Sequence, residues 1–223
     1  MSSEPLARDQ RWAGLSAVAT AVLFAAANSL WALEMPDRGA SGAELVDFYD
    51  DRSGRIVAGA LLSLISIATF VVFAGAFRSV LIKLEGDEIL ANIAFGGSLL
   101  GMAAGIGAET INMAAALRAG DAELTQPLAQ ALFDASYVLG FNAAGVGIGL
   151  LALATGAAAL RARALLPGWL AVIAIALGVA LLTPLSRWTV GPSFLLLLVL
   201  GVLLLRGSAT PSSQREPNST IAS

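Results

Sequence analysis

The sequence predicts an all-α fold, a polytopic membrane bundle of six transmembrane helices with a short amphipathic helix in the first outer loop. Three observations predict it. Of 223 residues, 57% are hydrophobic and only 13% are charged, with a mean hydropathy of +0.78; a soluble domain carries about 25% charge. The charges are bunched, leaving uncharged runs of the roughly 20 residues that a bilayer crossing needs. Tryptophan recurs in pairs, Trp12 with Trp31 and Trp169 with Trp188, each 19 residues apart. At about 1.5 Å per residue that spacing is roughly 28 Å of helix, close to a hydrocarbon core of about 30 Å, and Trp favours both interfaces.

Residues 1–11 read as a short cytoplasmic segment, and residues 12–33 as the first crossing. Within it, FAAANS at 24–29 also resembles an A-x-A cleavage site, which would leave five crossings. Against cleavage, the apolar run continues to Leu33 and the preceding segment has no net positive side-chain charge. Residues 34–55, EMPDRGASGAELVDFYDDRSGR, form a substantial polar connection. Ser41 and Glu44 have capping-box spacing, and Leu45, Phe48 and Tyr49 fall on one helical side. This pattern predicts an amphipathic helix over about 42–52 on the outer surface, with Asp47, Asp50 and Asp51 in water. A solvated connector running into the next crossing is the alternative.

Further crossings are expected at 56–77, 89–108, 128–160, 166–185 and 188–205, so that the transmembrane domain covers 12–206. The run 128–160 is too long for one crossing, so its first turns stand outside the hydrocarbon; the last run is short and suits a locally thinned bilayer. Residues 207–223 are polar and rich in Ser and Pro, the composition of a disordered cytoplasmic tail. Its Asn218-Ser219-Thr220 sequon is then a chance match.

Under this threading eight Arg and Lys residues fall on the side of the termini and five on the other. The positive-inside rule places both termini in the cytoplasm. Twelve Arg against one Lys, with abundant Ala and Gly, is the usage of a GC-rich bacterial genome, which points to a bacterial inner membrane.

The composition also excludes chemistry. With no Cys there is no disulfide, thiolate metal site or catalytic thiol. With no His the commonest general base and metal or haem ligand is missing. Lys83 sits at the edge of an apolar run, which argues against a buried Schiff base. No metal and no cofactor are expected. A net charge of -3 is too small to suggest nucleic acid. The expected partners are the lipid bilayer and either a second copy or another membrane subunit. No H-E-x-x-H or G-x-S-x-G motif appears, so an enzyme is the last choice.

Small residues predict close helix packing. Gly97, Gly101 and Gly105 share one face of the third run, and Gly145 and Gly149 repeat the spacing in the fourth. These faces are expected to pack on each other within the chain, dimerisation being the alternative.

The third run also carries an acid. Glu109 ends its apolar part, and Asn112 follows one turn on. Asp134 and Tyr137 open the fourth run, placing both acids at similar depth near the outer boundary. A carboxylate there needs water, a partner or a proton. Arg187 and Arg55, on the same side, are the candidate partners. Three readings follow for Glu109 and Asp134: ion pairs that fix helix rotation, interfacial positions without a role, or a ligand, ion or proton site with Asn112, Tyr137 and Arg187. Asn28, Asn92, Asn112 and Asn142 also serve as interhelical hydrogen-bond glue. A small transporter or ligand-binding protein with a polar site near the outer face predicts a water-accessible cleft among crossings two to five, lined by Glu109, Asn112, Asp134, Tyr137 and Arg187. A structural or accessory subunit predicts polar groups that are all satisfied internally and a small-residue face left open.

The stretch ELVDFYDDRSGRIVAGALLSLISIATFVVFAGAFRSVL, residues 44–81, joins an acidic Phe/Tyr helix, a basic boundary and an apolar run with a basic edge. It resembles uncharacterised six-span bacterial membrane proteins of the domain-of-unknown-function type. The resemblance implies a six-helix bundle and no activity.

Overall fold

The structure, a computed structural model, describes residues 4–86, 88–162 and 166–208. These residues are helical, with no strand among them. In chain order they form α1 (Glu4–Trp31) with a closing 3-10 turn (Ala32–Glu34), α2 (Gly42–Asp51), α3 (Ser53–Glu85) and α4 (Glu88–Gly120). After these come α5 (Gln126–Tyr137), a π-helical segment (Val138–Ala143), α6 (Ala144–Ala162), α7 (Gly168–Leu181) and α8 (Ser186–Ser208). The tail from 209 on lies outside the described residues.

Five helices are long and apolar enough to cross a membrane: α1 with its 3-10 turn, α3, α4, the continuous α5–π–α6 rod, and α8. The crossing expected at 166–185 is shorter than that. α7 has 14 residues, about 21 Å of helix. Prolines set both limits. Pro167 occupies the N-cap position, and Pro184 disfavours helix at Thr183, so the chain leaves α7 at Leu181 and turns. The last helix is longer than expected, 23 residues, because it starts at Ser186 immediately after that turn. α3 stops where Gly86 takes φ 67° and returns its N–H to the Ile82 carbonyl at 3.0 Å.

Neighbouring helices form a ring in the order α8, α1, α3, α4, α6, α7, with a lighter α7–α8 contact closing it. Both described chain ends lie at one end of the ring. There Lys83 Nζ, late in α3, donates to Asp9 Oδ2 at 2.6 Å and to the Pro5 carbonyl at 3.3 Å, fastening the start of α1. This is termed the terminal end, and the opposite one, which carries α2, the loop end. α7 returns the chain from the terminal end to the loop end, where α8 begins.

Glycines hold the ring together, and the third and fourth runs, α4 and α6, pack tightly, although it is Gly147 and not Gly145 or Gly149 that meets Gly97 and Gly101. On α4, a side chain at Gly97 would meet the Gly147 carbonyl at 2.7 Å, and one at Gly147 would meet Gly101 Cα and the Gly97 carbonyl, both at 2.6 Å. α4 and α6 therefore touch backbone to backbone. Gly145 and Gly149 do not share this contact. Gly145 faces the Leu181 carbonyl at 3.1 Å and Gly149 the Gly178 carbonyl at 3.0 Å, so both pack on α7. The reason is helical geometry. Residues four apart share a face, but Gly147, two positions from each, points to the opposite side. Gly105 faces neither, its nearest neighbour being Ile67 of α3 at 3.4 Å.

The ring is filled at one end and hollow at the other. In the terminal half Phe70, Phe73 and Phe77 stack in series at 5.4 and 5.0 Å between centroids, with Leu151, Leu197, Leu200 and Leu204 around them. A second apolar cluster lies at the loop end beneath α2, built on Trp31, Leu45, Phe48, Tyr49, Ile56 and Phe133. Trp31 thereby departs from the expected interfacial role. It is 6% exposed, against 58%, 65% and 73% for Trp12, Trp169 and Trp188. Gly59 makes room for it, since a side chain there would meet the indole at 2.6 Å.

Gly147→Ala is expected to force α4 and α6 apart and to destabilise the protein by at least about 1–3 kcal/mol, the usual overpacking range. Gly96→Ala, where a side chain meets nothing within 4 Å, is expected to be neutral or stabilising by up to about 1 kcal/mol through helix propensity. Thermal unfolding in detergent distinguishes the two.

Candidate functional site

Between the two apolar clusters lies a cavity of about 800 Å³, within the roughly 300–1,000 Å³ of ligand pockets. α1, α3, α4, the π segment, α6 and α8 supply its walls. The π segment falls at the hollow, not in the packed half, and contributes Gly140 and Phe141. One extra residue in a turn widens the helix, and such bulges recur at functional sites.

The loop end is roofed by α2. Its start is a full capping box: the Glu44 N–H donates to Ser41 Oγ at 3.3 Å and the Ser41 N–H to Glu44 Oε2 at 2.7 Å. The Ser41 N–H and then the Ser41 hydroxyl, which donates to the same oxygen at 2.9 Å, hold the Glu44 carboxyl below its ordinary pKa. Leu45, Phe48 and Tyr49 point into the bundle, while Asp47, Asp50 and Asp51 are exposed. Phe48 meets Trp31 at 6.4 Å and the Tyr49 edge at 5.4 Å between centroids. Tyr49 is fully buried, and its O–H donates to Asn112 Oδ1 at 3.1 Å. Burial pushes its phenol above the usual tyrosine range, so the hydroxyl stays a donor.

Four of the five residues expected to form a site line this cavity: Glu109, Asn112, Tyr137 and Arg187. Asp134 does not. The contacts Gly97–Leu151, Gly101–Gly147 and Gly140–Ala108 set α4 antiparallel to the π–α6 rod, one residue for one. In that register Asp134 stands six residues beyond Gly140, about 9 Å nearer the loop end, and it is exposed. The two acids neither face each other nor share a cleft. Helix periodicity explains it: the cavity face of α5 is the Ser136–Tyr137 side.

The expected ion pairs are also absent, because both arginines are engaged elsewhere. Arg187 reaches Asp37 at 3.2 Å and lies over the Tyr137 and Trp188 rings at 5.8 and 5.5 Å. Arg55 binds Glu34 at 3.1 Å and the Leu30 carbonyl at 2.9 Å, with Arg52 on the same carboxylate at 2.7 Å. Glu109 is left among apolar walls with the Ser63 hydroxyl beside its carboxyl group. Its Oε2 is sealed from water without a hydrogen-bond partner. Of the asparagines, Asn92 does join helices, accepting from Arg78 Nε at 2.9 Å, whereas Asn142 is exposed.

Sequence reasoning missed the smaller polar residues of the wall, and their donors are already used. Ser66 Oγ donates to the Thr20 carbonyl at 3.0 Å, Ser136 Oγ to the Phe133 carbonyl at 2.9 Å, and Asn28 Nδ2 to the Phe24 carbonyl at 2.8 Å. Thr69 Oγ1 donates to the Ser66 carbonyl at 2.7 Å, leaving Thr20 as the donor in their 2.8 Å contact. These bonds occupy the hydroxyl protons of Ser66, Ser136 and Thr69 and one of the two N–H groups of Asn28, and they leave the Glu109 carboxyl group as the acid of the wall. No group of three acids that could hold a metal ion occurs among the described residues.

No family model, curated protein or solved structure matches the chain. Its function is therefore read from the cavity itself.

Tyr49→Phe leaves Asn112 Oδ1 buried without its donor, and a loss of about 1–3 kcal/mol is expected on thermal unfolding, with earlier hydrogen exchange in α2 than elsewhere. The capping box carries its own pH dependence. Since the folded pKa of Glu44 lies below the ordinary 4.5, its contribution is complete above that pH and is lost as pH falls through the lowered folded value. Exchange protection of the α2 amides should therefore fall in acid for wild type relative to Glu44→Gln.

Proposed function

We propose that this chain is a ligand-binding or transport protein of a bacterial inner membrane, and that its cavity holds a molecule with a cationic or hydrogen-bond-donating head. The single observation that carries the reading is Glu109, which lines the cavity and whose Oε2 is buried without a hydrogen-bond partner. A carboxyl oxygen sealed from water without a partner is a stability cost. A chain that keeps such a group keeps it for something other than folding. Ser66 and Ser136, whose hydroxyl protons already go to carbonyls, can only accept from a guest, and they favour one that brings its own protons.

The threading proposed with it is six crossings with both termini cytoplasmic. α7 supports the sixth crossing because it carries the chain between the same two ends as the longer helices, and the eight-to-five division of Arg and Lys supports the orientation. In that orientation the cavity opens toward the outer half of the membrane. The resemblance of residues 44–81 to six-span bacterial proteins agrees with this threading and adds no activity.

The accessory-subunit reading needs polar groups satisfied within the chain and an open glycine face. Glu109 runs against the first requirement. Gly97, Gly101, Gly145 and Gly149 run against the second, each being covered by another helix of the same chain.

Dodecylamine, dodecanol and dodecyl sulfate are the probes, titrated against purified protein at constant detergent. Wild type is expected to bind the amine and to reject the sulfate. Glu109→Gln is expected to weaken amine binding tenfold or more, about 1.4 kcal/mol, and to unfold no more easily than wild type. Unchanged amine binding, with unfolding several kcal/mol easier, would instead make Glu109 a structural group.

A further inference from the structure

The cavity wall is uneven in a way its polar groups do not account for. Every exposed residue lining the cavity lies on α1, its closing turn, or α8: Ala25, Ser29 and Leu33 on one side, Trp188, Gly191 and Leu195 on the other. The wall residues from α3, α4, the π segment and α6 are buried or half-buried.

α1 and α8 are in backbone contact only near the terminal end. There a side chain at Gly14 would meet the Gly201 carbonyl at 2.9 Å, and one at Gly201 the Gly14 carbonyl at 3.0 Å. Toward the loop end the contact passes to rings, Phe24 on Phe194 at 3.6 Å between centroids. Beyond the rings, a side chain at Gly191 would meet nothing within 4 Å. The exposed lining along this pair of helices borders a slot whose lips, Ser29 apart, are apolar. On the flank of a bundle of membrane-length helices, such a slot faces acyl chains and not water. The water-facing end is covered instead. Tyr49 is locked to Asn112 on one side, and Arg187, tied to Asp37, lies over Tyr137 on the other.

We infer that the cavity fills sideways from the bilayer, and that its ligand is a chain-bearing amphiphile whose donor head sits at Glu109 and whose chain leaves through the slot between α1 and α8. The inference rests on the ligand reading above and adds the apolar half of the ligand and its route. The head meets the acceptors gathered on α3 and α4; the chain passes Phe194 and Leu198 to reach the lips. A water-soluble amine would satisfy Glu109 but would leave that apolar channel without a guest.

Trp31 is the reporter, since it lines the cavity and is shielded from the surface. With Trp12, Trp169 and Trp188 replaced by Phe it is the sole tryptophan. The protein is reconstituted in vesicles of phosphatidylcholine with mid-chain bromine, a contact quencher. Trp31 is expected to lose most of its fluorescence relative to plain vesicles, and added dodecylamine to restore it. Gly191→Leu, which fills the slot, is expected to keep Trp31 bright; Ala25→Leu serves if that variant does not fold. In Glu109→Gln the quenching should persist while dodecylamine no longer restores the signal.

Equal brightness of Trp31 in both kinds of vesicle overturns lateral filling, and the ligand reading then survives only if amine binding still depends on Glu109. Quenching that Gly191→Leu and Ala25→Leu leave intact overturns the slot as the route. Quenching that dodecylamine fails to reverse in the Glu109 protein overturns the placement of the head.

Discussion

The backbone contact between α4 and α6 is the constraint on which the remaining geometry depends. Lipid supplies no hydrophobic force between helices, so van der Waals contact must do the work, and it is strongest where side chains are absent. Gly147 opposite Gly97 and Gly101 gives that contact. It also fixes the antiparallel register of α4 against the π–α6 rod. Glu109 then comes level with the π segment, and Asn112 comes within reach of Tyr49. A shift of one helical turn would move Glu109 by about 5.4 Å along the axis and break the Tyr49–Asn112 bond.

Because α6 carries small residues on two opposite faces, it can touch α4 and α7 closely at once. Gly147 serves the first, and Gly145, Gly149 and Gly156 the second. Short α7 is thus held along its whole length by one neighbour. The ring is tight on that side. On the other side α1 and α8 meet closely only around Gly14 and Gly201, and no later pair of glycines continues the contact toward the loop end. The hollow is a consequence of this asymmetry as much as of side-chain volume. Phe70, Phe73 and Phe77 fill the terminal half from α3. One and two turns nearer the loop end the same helix offers Ser66 and Ser63, which are too small to fill the space.

Five long helices were legible because hydropathy and bunched charge act along the chain, but hydropathy marks the apolar part and not the helix end: α1 begins at Glu4, α3 runs on to Glu85 and α4 to Gly120, past the expected 12, 77 and 108. The capping box at Ser41 and Glu44 was legible because it is local. What was not legible depends on rotation about helix axes. Gly145 and Gly149 matched the spacing on α4, yet the face that meets α4 is set by Gly147, and spacing alone does not say which neighbour a face meets. Asp134 was paired with Glu109 by depth, but register put it about 7.5 Å away along the axis and periodicity turned it outward. Arg187 and Arg55 were sensible partners by topology. They were already claimed by Asp37 and Glu34, acids in the same loop that the sequence offered no means to rank. The π segment has no sequence signature beyond a glycine and an asparagine within a long apolar rod.

The ion pairs at the loop end follow from this division and bear on what the cavity can admit. Glu34 draws Arg52 and Arg55 together at 2.7 and 3.1 Å, offsetting one of their two charges at the entrance to α3. Arg187 faces an exposed partner, Asp37, and such a pair is weak because water screens it. Its more durable contacts are the faces of Tyr137 and Trp188, which hold a guanidinium without cancelling its charge. Arg187 therefore keeps a positive charge at the rim of the cavity, while Glu109 within it has one oxygen, Oε2, without a partner. On the reading proposed above, the head of the amphiphile would come to Glu109 through the slot between α1 and α8. Arg187 and Glu109, partners by topology in the sequence, line the same cavity in the fold without pairing, because the guanidinium turns to Asp37 and the Tyr137 ring.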